Sequence, residues 1–580
     1  MKRIATILTI LALNMTVATA QELTVTVDSC GQLALQLPDS VRFTLEELKI
    51  CGPLNGADVK LLKQITGRSK AKKPGELVLK RIDLSETTFV ESKGATKQKG
   101  GAMPSALFQG DKSLERVVLP ESASEISKSC FSGCTGLQEV VLHDDITVIA
   151  DNAFHGCTAL SEVRLPEGLT TIGKHAFEKC TALTKVEVPQ NVATLDNAAF
   201  SACTGLQTVV ISAPLSRLGN ALFQGCTSLD DVTLPPTVTT LGNDVFRDCA
   251  SLQTLALPDG VTEVGNSAFE KCARLHALEL PSATKIGTNA FKGCISLTAI
   301  ELEHASRIGS SAFAGCTSLS SVTIDGSLDA IASETFSGCS SLQNVQLPRN
   351  VKTIGTRAFY DCKSLTDIEL PTNLTRLQDH AFEQCTSLRQ LFIPSMVKQM
   401  GSDTFEGCAS LDSVYIQGFV EKLESDVFRD CHSLRSVTLP VSLKTIGDNA
   451  FNGCASLTSI VLPISVTSIG DGSFERCASL MSIIVPAACT AVGSSAFREC
   501  TSLQRVELPA TLKKIGGNAF SKCVSLRDVL LASPLPPSIA SSTFKSVPVE
   551  ACRFIVPRGS KHNYAADKQW MKLPHIVERL

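Results

Sequence analysis

Cysteine is the residue type in this sequence with the greatest capacity for chemistry. The chain has 23 cysteines in 580 residues, and 18 of them stand three residues after a phenylalanine at a regular spacing, from Cys134 through Cys316 to Cys523. Thiolates act as nucleophiles and as zinc ligands. A zinc site would need a Cys-x2-Cys pair or a histidine that recurs with the cysteines, and the sequence has neither. The sequence therefore predicts no metal site and no cofactor.

The regular spacing also argues against a disulfide framework. If the regular spacing places the cysteines on stacked strands about 4.8 Å apart, successive cysteine Cα atoms lie near the range that a disulfide allows. Distance alone therefore does not exclude disulfides between them. Each cysteine would, however, have two equivalent neighbours with parallel Cα–Cβ vectors, so pairing would be strained and ambiguous. The total number of cysteines in the chain is also odd. We predict a ladder of buried, reduced thiols, in which a serine at Cys316 would leave a hydroxyl without a partner. Cys30 and Cys51 lie outside the ladder, and the sequence is compatible with a disulfide between them or with two free thiols.

The remaining motifs give little support for catalysis. Gly168 to Lys174 matches most of a phosphate-binding loop, but His175 stands where a serine or threonine should bind Mg²⁺. The sequence has no H-E-x-x-H or G-x-S-x-G motif, and its nine histidines are scattered. We therefore predict a protein that is not an enzyme.

A repeat of about 23 residues organises the chain. It is marked by twenty phenylalanines from Phe108 to Phe544, and of the 19 intervals between them 16 are 23 residues long, two are 22 and one is 24. One unit, beginning at Ile172, reads I-G-K-H-A-F-E-K-C-T-A-L-T-K-V-E-V-P. A repeat this short cannot bury its own apolar residues, so the units must stack on one another as a solenoid.

The pattern within a unit predicts its local structure. L-x-x-V-x-L alternates apolar and polar residues, which is typical of a strand with one buried face. The proline that usually follows ends the strand, and V-T-x-I-G then predicts an extended return that bends at the glycine. The A-F-x-x-C segment favours a short helical or 3-10 turn that buries the phenylalanine. The predicted fold is an α/β-type repeat solenoid with a parallel β-sheet on one face.

The two ends of the chain depart from the repeat. Residues 1–20 combine Lys2 and Arg3, an apolar stretch and Ala18-Thr19-Ala20, which is typical of a signal peptide. Residues 21–103 predict an N-terminal capping region, residues 104–548 the solenoid of about 20 repeats, and residues 549–580 a C-terminal cap that follows a last strand at Phe554–Pro557.

The repeat, with L-x-x-L-x-L-type strands and A-F-x-x-C-x-S-L followed by L-P, resembles the BspA-like family of leucine-rich repeat proteins on bacterial surfaces. The resemblance covers about 470 residues. It implies adhesion to a host extracellular protein, such as fibronectin or fibrinogen, or to another cell. The matching residues are the predicted buried ones, so the resemblance is specific for the fold and much less so for a ligand.

The amino-acid composition and the predicted signal peptide indicate which class of partner to expect. The net charge is −3, and only one Trp and three Tyr are present, so neither a basic field nor stacking platforms for nucleic acid are expected. No stretch approaches the roughly 20 apolar residues of a spanning helix. We predict an exported protein, at the cell surface, secreted or periplasmic, that recognises a protein or glycoprotein. The alternative is a structural or assembly component of the cell envelope that has no host ligand.

Variation at the outward positions of the strand indicates where a partner would bind. The fifth position of L-x-x-V-x-L is mostly polar until Glu369 and then becomes Phe392 and Tyr415 on successive units. Two aromatic rings about 5 Å apart on an exposed sheet suit a binding hot spot, although aromatic residues also favour strands for their own sake. Arg389, Asp412 and Arg435 are expected to surround the pair, and these five residues form the candidate partner-binding patch.

Overall fold

A computed structural model describes residues 22–42, 45–68, 79–91, 101–280 and 285–579. The predicted signal peptide at residues 1–20 lies outside the described residues. The chain divides between Ala213 and Pro214 into two compact units, which are described one at a time.

Most coils of the repeat contribute a front strand and a shorter return strand, and each type pairs in parallel with its equivalent in a neighbouring coil. The coils that contain Arg164, Glu369 and Val461 have no front strand, so the front strands form several shorter sheets. Front strand Lys185–Val188 pairs with Thr208–Ile211, and return strand Thr171–Ile172 pairs with Thr194–Leu195. The pairing is in register from repeat to repeat, so equivalent residues lie side by side. The predicted parallel sheet and extended returns are confirmed.

The elements of the first unit are of three kinds. Its front strands are Glu22–Thr26, Glu47–Leu54, Arg81–Asp83, Arg116–Val118, Glu139–Val141, Lys185–Val188 and Thr208–Ile211, with Thr87–Phe89 pairing on the end of Glu47–Leu54. Its return strands are Ala102–Met103, Glu125–Ile126, Val148–Ile149, Thr171–Ile172 and Thr194–Leu195. Its helices are Leu33–Gln36, Asp39–Arg42, Gly56–Lys63 and a π-helical turn Gln64–Arg68.

The second unit repeats the same two strand types. Its front strands are Asp231–Thr233, Ala299–Glu301, Ser321–Thr323, Asn344–Gln346, Gln390–Ile393, Ser413–Ile416, Ser436–Thr438, Ser482–Ile484, Arg505–Leu508, Asp528–Leu531, Arg553–Val556 and Ile576–Glu578. Its return strands are Arg217–Leu218, Thr240–Leu241, Glu263–Val264, Lys285–Ile286, Arg307–Ile308, Ala330–Ile331, Thr353–Ile354, Arg376–Leu377, Gln399–Met400, Lys422–Leu423, Thr445–Ile446, Ser468–Ile469, Ala491–Val492 and Lys514–Ile515. One α-helix, Lys561–Ala566, and a 3-10 turn, Trp570–Lys572, follow near the C-terminus.

The A-F-x-x-C segment is not helical, which corrects the predicted helical or 3-10 turn. It consists of successive tight turns, such as Cys130 N–H to Ser127 O at 3.2 Å and Cys134 N–H to Phe131 O at 3.0 Å. A left-handed residue interrupts each turn, as at Ser129 (φ 55°) and Gly133 (φ 76°), and a helix cannot continue through such residues. The physical reason lies in the neighbouring coil, because amides such as that of Phe131 donate outward to its carbonyl groups instead of inward along a helix. The α/β description therefore holds only in part, and the described repeats are stacked β-coils.

The core is a set of continuous ladders. In each unit, the phenylalanine rings stack with centroids 5.0 to 5.6 Å apart. The ladder cysteines are fully buried beside them, and all 23 cysteines of the chain are free thiols. Each ladder thiol whose contact is described donates to the carbonyl oxygen of the phenylalanine one coil earlier, at 3.0 to 3.3 Å, as Cys316 Sγ does to Phe291 O at 3.2 Å. The prediction of buried free thiols is confirmed, whereas the prediction that this buried position lacks a hydrogen-bond partner is wrong.

Parallel strands continue beyond the predicted repeats at both ends of the chain. Glu22–Thr26 pairs with Glu47–Leu54, which pairs with Arg81–Asp83, so strands precede the first predicted repeat. At the other end, the predicted strand at Phe554–Pro557 is confirmed as Arg553–Val556, but it is not the last strand, because Ile576–Glu578 pairs with it.

Candidate interaction surface

The front sheet of the second unit brings Phe392 and Tyr415 together on its open face. The strands Gln390–Ile393 and Ser413–Ile416 are in register, with Phe392 opposite Tyr415. Their rings stack with centroids 5.4 Å apart at an interplanar angle of 15°. The alternating neighbours Leu391 and Val414 are buried, which turns both rings outward, and Phe392 is 52% and Tyr415 46% exposed. The predicted adjacency of two exposed aromatic side chains is confirmed, while their role in binding remains a prediction.

The three predicted polar neighbours occupy successive rungs just before the strands. The Asp412 amide donates to Arg389 O at 2.8 Å, and the Arg435 amide donates to Asp412 O at 2.9 Å. The side chains of Arg435 and Asp412 form an exposed ion pair at 3.4 Å. Arg389 has no ion pair within the part of the chain that the structure describes. The flank of the aromatic pair thus carries two guanidinium groups and one carboxylate.

The aromatic pair begins a stretch of the open face without charge. From the coil of Phe392 to that of Ile484, the fifth position holds Phe392, Tyr415, Thr438, Val461 and Ile484, and the third position holds Gln390, Ser413, Ser436, Ser459 and Ser482. We call these ten residues the open-face patch. Charges return on both sides, at Asp367 and Glu369 on the preceding coil and at Arg505 and Glu507 on the following one. Val461 is 83% and Ile484 63% exposed, so exposed apolar side chains continue on the coils beyond the aromatic pair. The sheet of the aromatic pair itself ends at Ser436–Thr438; Val461 lies in a coil without a front strand, and Ile484 lies in the next sheet.

A second row of apolar side chains lies beside the patch, in the loops that follow the front strands. This loop row consists of Met396, Phe419, Val441 and Ile464, all exposed. The loops are joined coil to coil, since Ser442 Oγ donates to Val420 O at 3.0 Å and Ser465 Oγ donates to Val441 O at 2.8 Å. This row lies outside the strand positions from which the candidate patch was predicted. The residue after the L-P dipeptide identifies Val441 and Ile464, whereas Met396 and Phe419 follow no L-P dipeptide.

The two rows of side chains meet in a shallow groove. The groove has a volume of about 540 Å³, and its lining includes Val461, Ile464, Ile484, Ala487 and Leu530. Aliphatic side chains make up most of this wall, and Arg579 and Glu507 stand in the lining as well. Such a groove can accept apolar side chains of a partner, but it presents no converging catalytic groups.

The thiol ladder offers no reactive site. Burial raises the pKa of the Cys316 thiol to about 12, so the reactive thiolate form is disfavoured at neutral pH. The same burial raises the pKa of Cys203 and of Cys408 to about 12. Across the described ranges, no group of three or more His, Cys, Asp or Glu side chains is placed to hold a metal ion.

The segment that matches a phosphate-binding loop is an ordinary part of one repeat. Thr171–Ile172 is a return strand, and the Lys174 amide donates to Asp151 Oδ1 at 3.0 Å. Tight turns follow, where a phosphate-binding loop would lead into a helix. His175 instead contacts Glu178, with Nδ1 2.7 Å from the carboxylate.

A cluster of charged side chains lies on the turn side of the second unit. Glu406 lies 3.6 Å from the Arg429 guanidinium and near the carboxyl group of Asp403. Partial burial, together with a hydrogen bond between the Glu406 and Asp403 side chains, raises the pKa of Glu406 to about 7. The sequence alone does not predict this cluster: Asp403 and Glu406 are three residues apart, Arg429 lies one repeat later, and their contact depends on how the turns of successive coils stack.

Several solved structures of leucine-rich repeat proteins are similar to this chain. A leucine-rich repeat protein from Bacteroides ovatus matches with 22% identity over 84% of this chain and 90% of its own, at a TM-score of 0.29. A leucine rich cell surface protein from Faecalibacterium prausnitzii matches with 23% identity over 60% of this chain and 83% of its own, at a TM-score of 0.29. The T. pallidum leucine rich repeat protein is 32% identical over 27% of this chain and 77% of its own, at a TM-score of 0.27. No curated protein matches the sequence.

The repeats themselves carry the assignment. The family model described as the BspA type leucine rich repeat region matches residues 102–230, 217–328, 306–435 and 421–548, which together cover most of the chain. Its matches span the coils whose phenylalanine and cysteine ladders form the core. The chain therefore belongs to the family of proteins with a BspA type leucine rich repeat region.

Proposed function

We propose that this protein recognises a protein or glycoprotein partner through the open face of its front sheet and acts in adhesion. The observation that carries the proposal is the stacked pair Phe392 and Tyr415, which is half exposed at one end of five successive coils whose third and fifth positions are uncharged. Large aromatic side chains ringed by polar groups are the usual centres of binding energy at protein interfaces. The Tyr415 ring can bury apolar area while its hydroxyl still donates a hydrogen bond.

Membership in the family supports a role in protein interaction, and the proposed partner is a host extracellular protein or another cell. The predicted signal peptide and the absence of a catalytic motif agree with an exported binding protein. No helix in the described part of the chain is long and apolar enough to cross a membrane. The second candidate is a structural component of the cell envelope, for which the same patch would serve as an assembly contact.

The test is a binding screen with a matched pair of variants. The purified protein is passed over immobilised fibronectin, fibrinogen and other extracellular matrix proteins, and the variant Phe392→Ala/Tyr415→Ala is compared with it for any protein that binds. We expect the double variant to bind at least 30-fold more weakly, which corresponds to about 2 kcal/mol. The control is Thr323→Ala/Gln346→Ala, which shortens the fifth-position side chains on two other adjacent, uncharged rungs.

Stability separates a binding role from a packing role. Both rings point out of the core, so the double variant is expected to melt within a few degrees of the wild type. Unchanged affinity for a ligand that binds the wild type specifically would refute the proposal. A large fall in melting temperature would show instead that the rings stabilise the sheet.

A further inference from the structure

We infer that the partner element seated on the open-face patch is an amphipathic α-helix, lying across the rungs with its axis along the direction in which the coils stack. This inference rests on the proposed function and names the kind of protein segment that the patch fits. It follows from the spacing of the exposed side chains, from the small residues beside them and from the charges at the ends of the patch.

The spacing of the patch matches a helix. The Phe392 and Tyr415 rings are 5.4 Å apart, and an α-helix presents its side chains once per turn with a pitch of about 5.4 Å. Backbone rungs repeat at about 4.8 Å, so the mismatch is about 0.6 Å per rung and only about 2.4 Å over the four steps from Phe392 to Ile484. Rotation of side chains can absorb a difference of that size.

An extended partner segment fits less well. A strand laid along the stacking direction shows one face every two residues, or about 6.6 Å, and would lose register by about 2 Å at each rung. A strand laid parallel to the rungs would cover only one or two of the five exposed side chains. The length of the patch, about 19 Å, corresponds to about 13 residues of helix.

The third-position residues leave room for a helix to approach. Ser413, Ser436, Ser459 and Ser482 form a row of short side chains directly beside the apolar row. On the other side, Val441 and Ile464 of the loop row stand out from the surface. An apolar stripe on a helix would thus lie between a low polar edge and a raised apolar edge, with the groove near Val461 and Ile484 beneath it.

The surrounding charges set an expected polarity. Asp367 and Glu369 are exposed on the coil before Phe392, and neither forms an ion pair with any residue that the structure describes. Two carboxylates at this end favour the positive end of a helix dipole and basic residues in its first turn. The flank formed by Arg389, Asp412 and Arg435 keeps a net positive charge even though Arg435 pairs with Asp412, and this charge favours acidic residues along one flank of the helix.

The experiment uses the full chain and synthetic peptides of 16 residues. The first peptide carries leucines on one helical stripe, lysines in its first turn and glutamates along one flank. The second has the same composition with the leucines redistributed around the helix, and the third has two central residues replaced by proline. Binding of fluorescently labelled peptides is measured by anisotropy, and their helicity is measured by circular dichroism.

We expect the first peptide to bind at least tenfold more tightly than the other two. Phe392→Ala/Tyr415→Ala and Val461→Asp/Ile484→Asp should each weaken its binding at least tenfold, and the control Thr323→Asp/Gln346→Asp should leave its binding unchanged. Equal binding of the proline peptide, or no binding of the first peptide at millimolar concentration, would overturn the inference. Patch-dependent binding to vesicles of phosphatidylcholine and phosphatidylglycerol in place of the peptide would also overturn it, since it would assign the patch to a membrane surface.

The proposed function is tested separately. If the double aromatic variant loses a matrix protein that the wild type binds, but no helical peptide binds, the recognition role stands and the helix is wrong. If the peptide depends on the patch but no matrix protein does, the helix stands and the extracellular partner is wrong.

Discussion

Replacing Cys316 tests how the thiol ladder stabilises the fold. The thiol is fully buried, and its hydrogen bond to Phe291 O is 3.2 Å long. The same carbonyl also accepts the Cys294 amide at 3.1 Å, so the thiol supplies its second hydrogen bond and links two coils. Because an acceptor is present, a serine hydroxyl at this position can donate to the same oxygen.

The test therefore compares how much two substitutions of Cys316 destabilise the fold. Cys316→Ser exchanges a buried sulfur for a more polar oxygen but retains a donor, and should cost about 1 kcal/mol. Cys316→Ala loses both the sulfur's packing and the donor, and should cost about 1–2 kcal/mol. If the hydroxyl had no partner, serine would instead be the costlier substitution by about 1–3 kcal/mol.

The assay must report on a few coils, because the stability of a repeat protein is a sum of local terms and its unfolding need not be two-state. Rates of labelling of Cys294 and Cys339 by a thiol reagent, measured by mass spectrometry in the native state, report local opening of the neighbouring coils. Both variants should speed labelling of these two cysteines, serine less than alanine, while Cys30→Ser, at an exposed position, should change neither rate. A serine variant that opens more readily than the alanine variant would refute the reasoning.

Four further substitutions probe the turns, the charged cluster and the C-terminal end. Ala202 has a left-handed backbone (φ 57°) at the position that Gly156 (φ 72°) occupies two coils earlier. In chemical unfolding, Ala202→Gly should stabilise the fold by up to about 1 kcal/mol, and Gly156→Ala should destabilise it by about 1 kcal/mol. Effects of the same sign for the two substitutions would contradict this. The pKa of Glu406 is raised to about 7 from 4.5, so its contribution to stability is complete below pH 4.5 and is lost as the pH rises through 7. Glu406→Gln should accordingly have about the same free energy of unfolding as the wild type at pH 5. After allowance for solvent screening, its free energy of unfolding should exceed that of the wild type by about 1 kcal/mol at pH 8. An equal gain for exposed Glu303→Gln would argue against the cluster. Tyr564 is fully buried, and its hydroxyl donates to Ser533 O at 2.8 Å. Tyr564→Phe should therefore lower the free energy of unfolding by about 1–2 kcal/mol, which is measured by amide hydrogen exchange in Arg553–Val556. Unchanged exchange in that strand would contradict a stabilising role for this hydrogen bond.

The sequence predicts the ladders of the fold because stacking makes every coil obey the same constraint. Phe131 and Cys134 recur since each must contact its own equivalent in the next coil, and a period of 23 residues is visible without coordinates. The turn between them was predicted wrongly for the same reason. Apolar spacing of one and four residues suits a helix, but only the neighbouring coil's carbonyl groups reveal that the amides donate outward.

The surface is less predictable than the core. The fifth-position residues Phe392 and Tyr415 could be placed side by side, because strand alternation fixes the direction of a side chain and register fixes its neighbour. The Glu406 cluster could not be predicted, since the raised pKa of Glu406 depends mainly on partial burial in the stacked turns, which the sequence pattern does not show. The strand Ile576–Glu578 was missed because it lacks the phenylalanine and cysteine marks of the repeat.

The loop row decides between two explanations of the exposed apolar surface. Phe392, Tyr415, Val461 and Ile484 are all good strand formers, so their presence on a sheet could be explained by strand propensity alone. Val441 and Ile464 are 87% and 86% exposed in loops, where strand propensity gives no advantage and burial gives none either. Contiguous exposed apolar side chains on successive coils are of the kind that often marks an interaction site. The proposed helical partner would cover both rows at once, and the proposal predicts that Val441→Ser/Ile464→Ser will weaken binding of the helical peptide without changing the melting temperature.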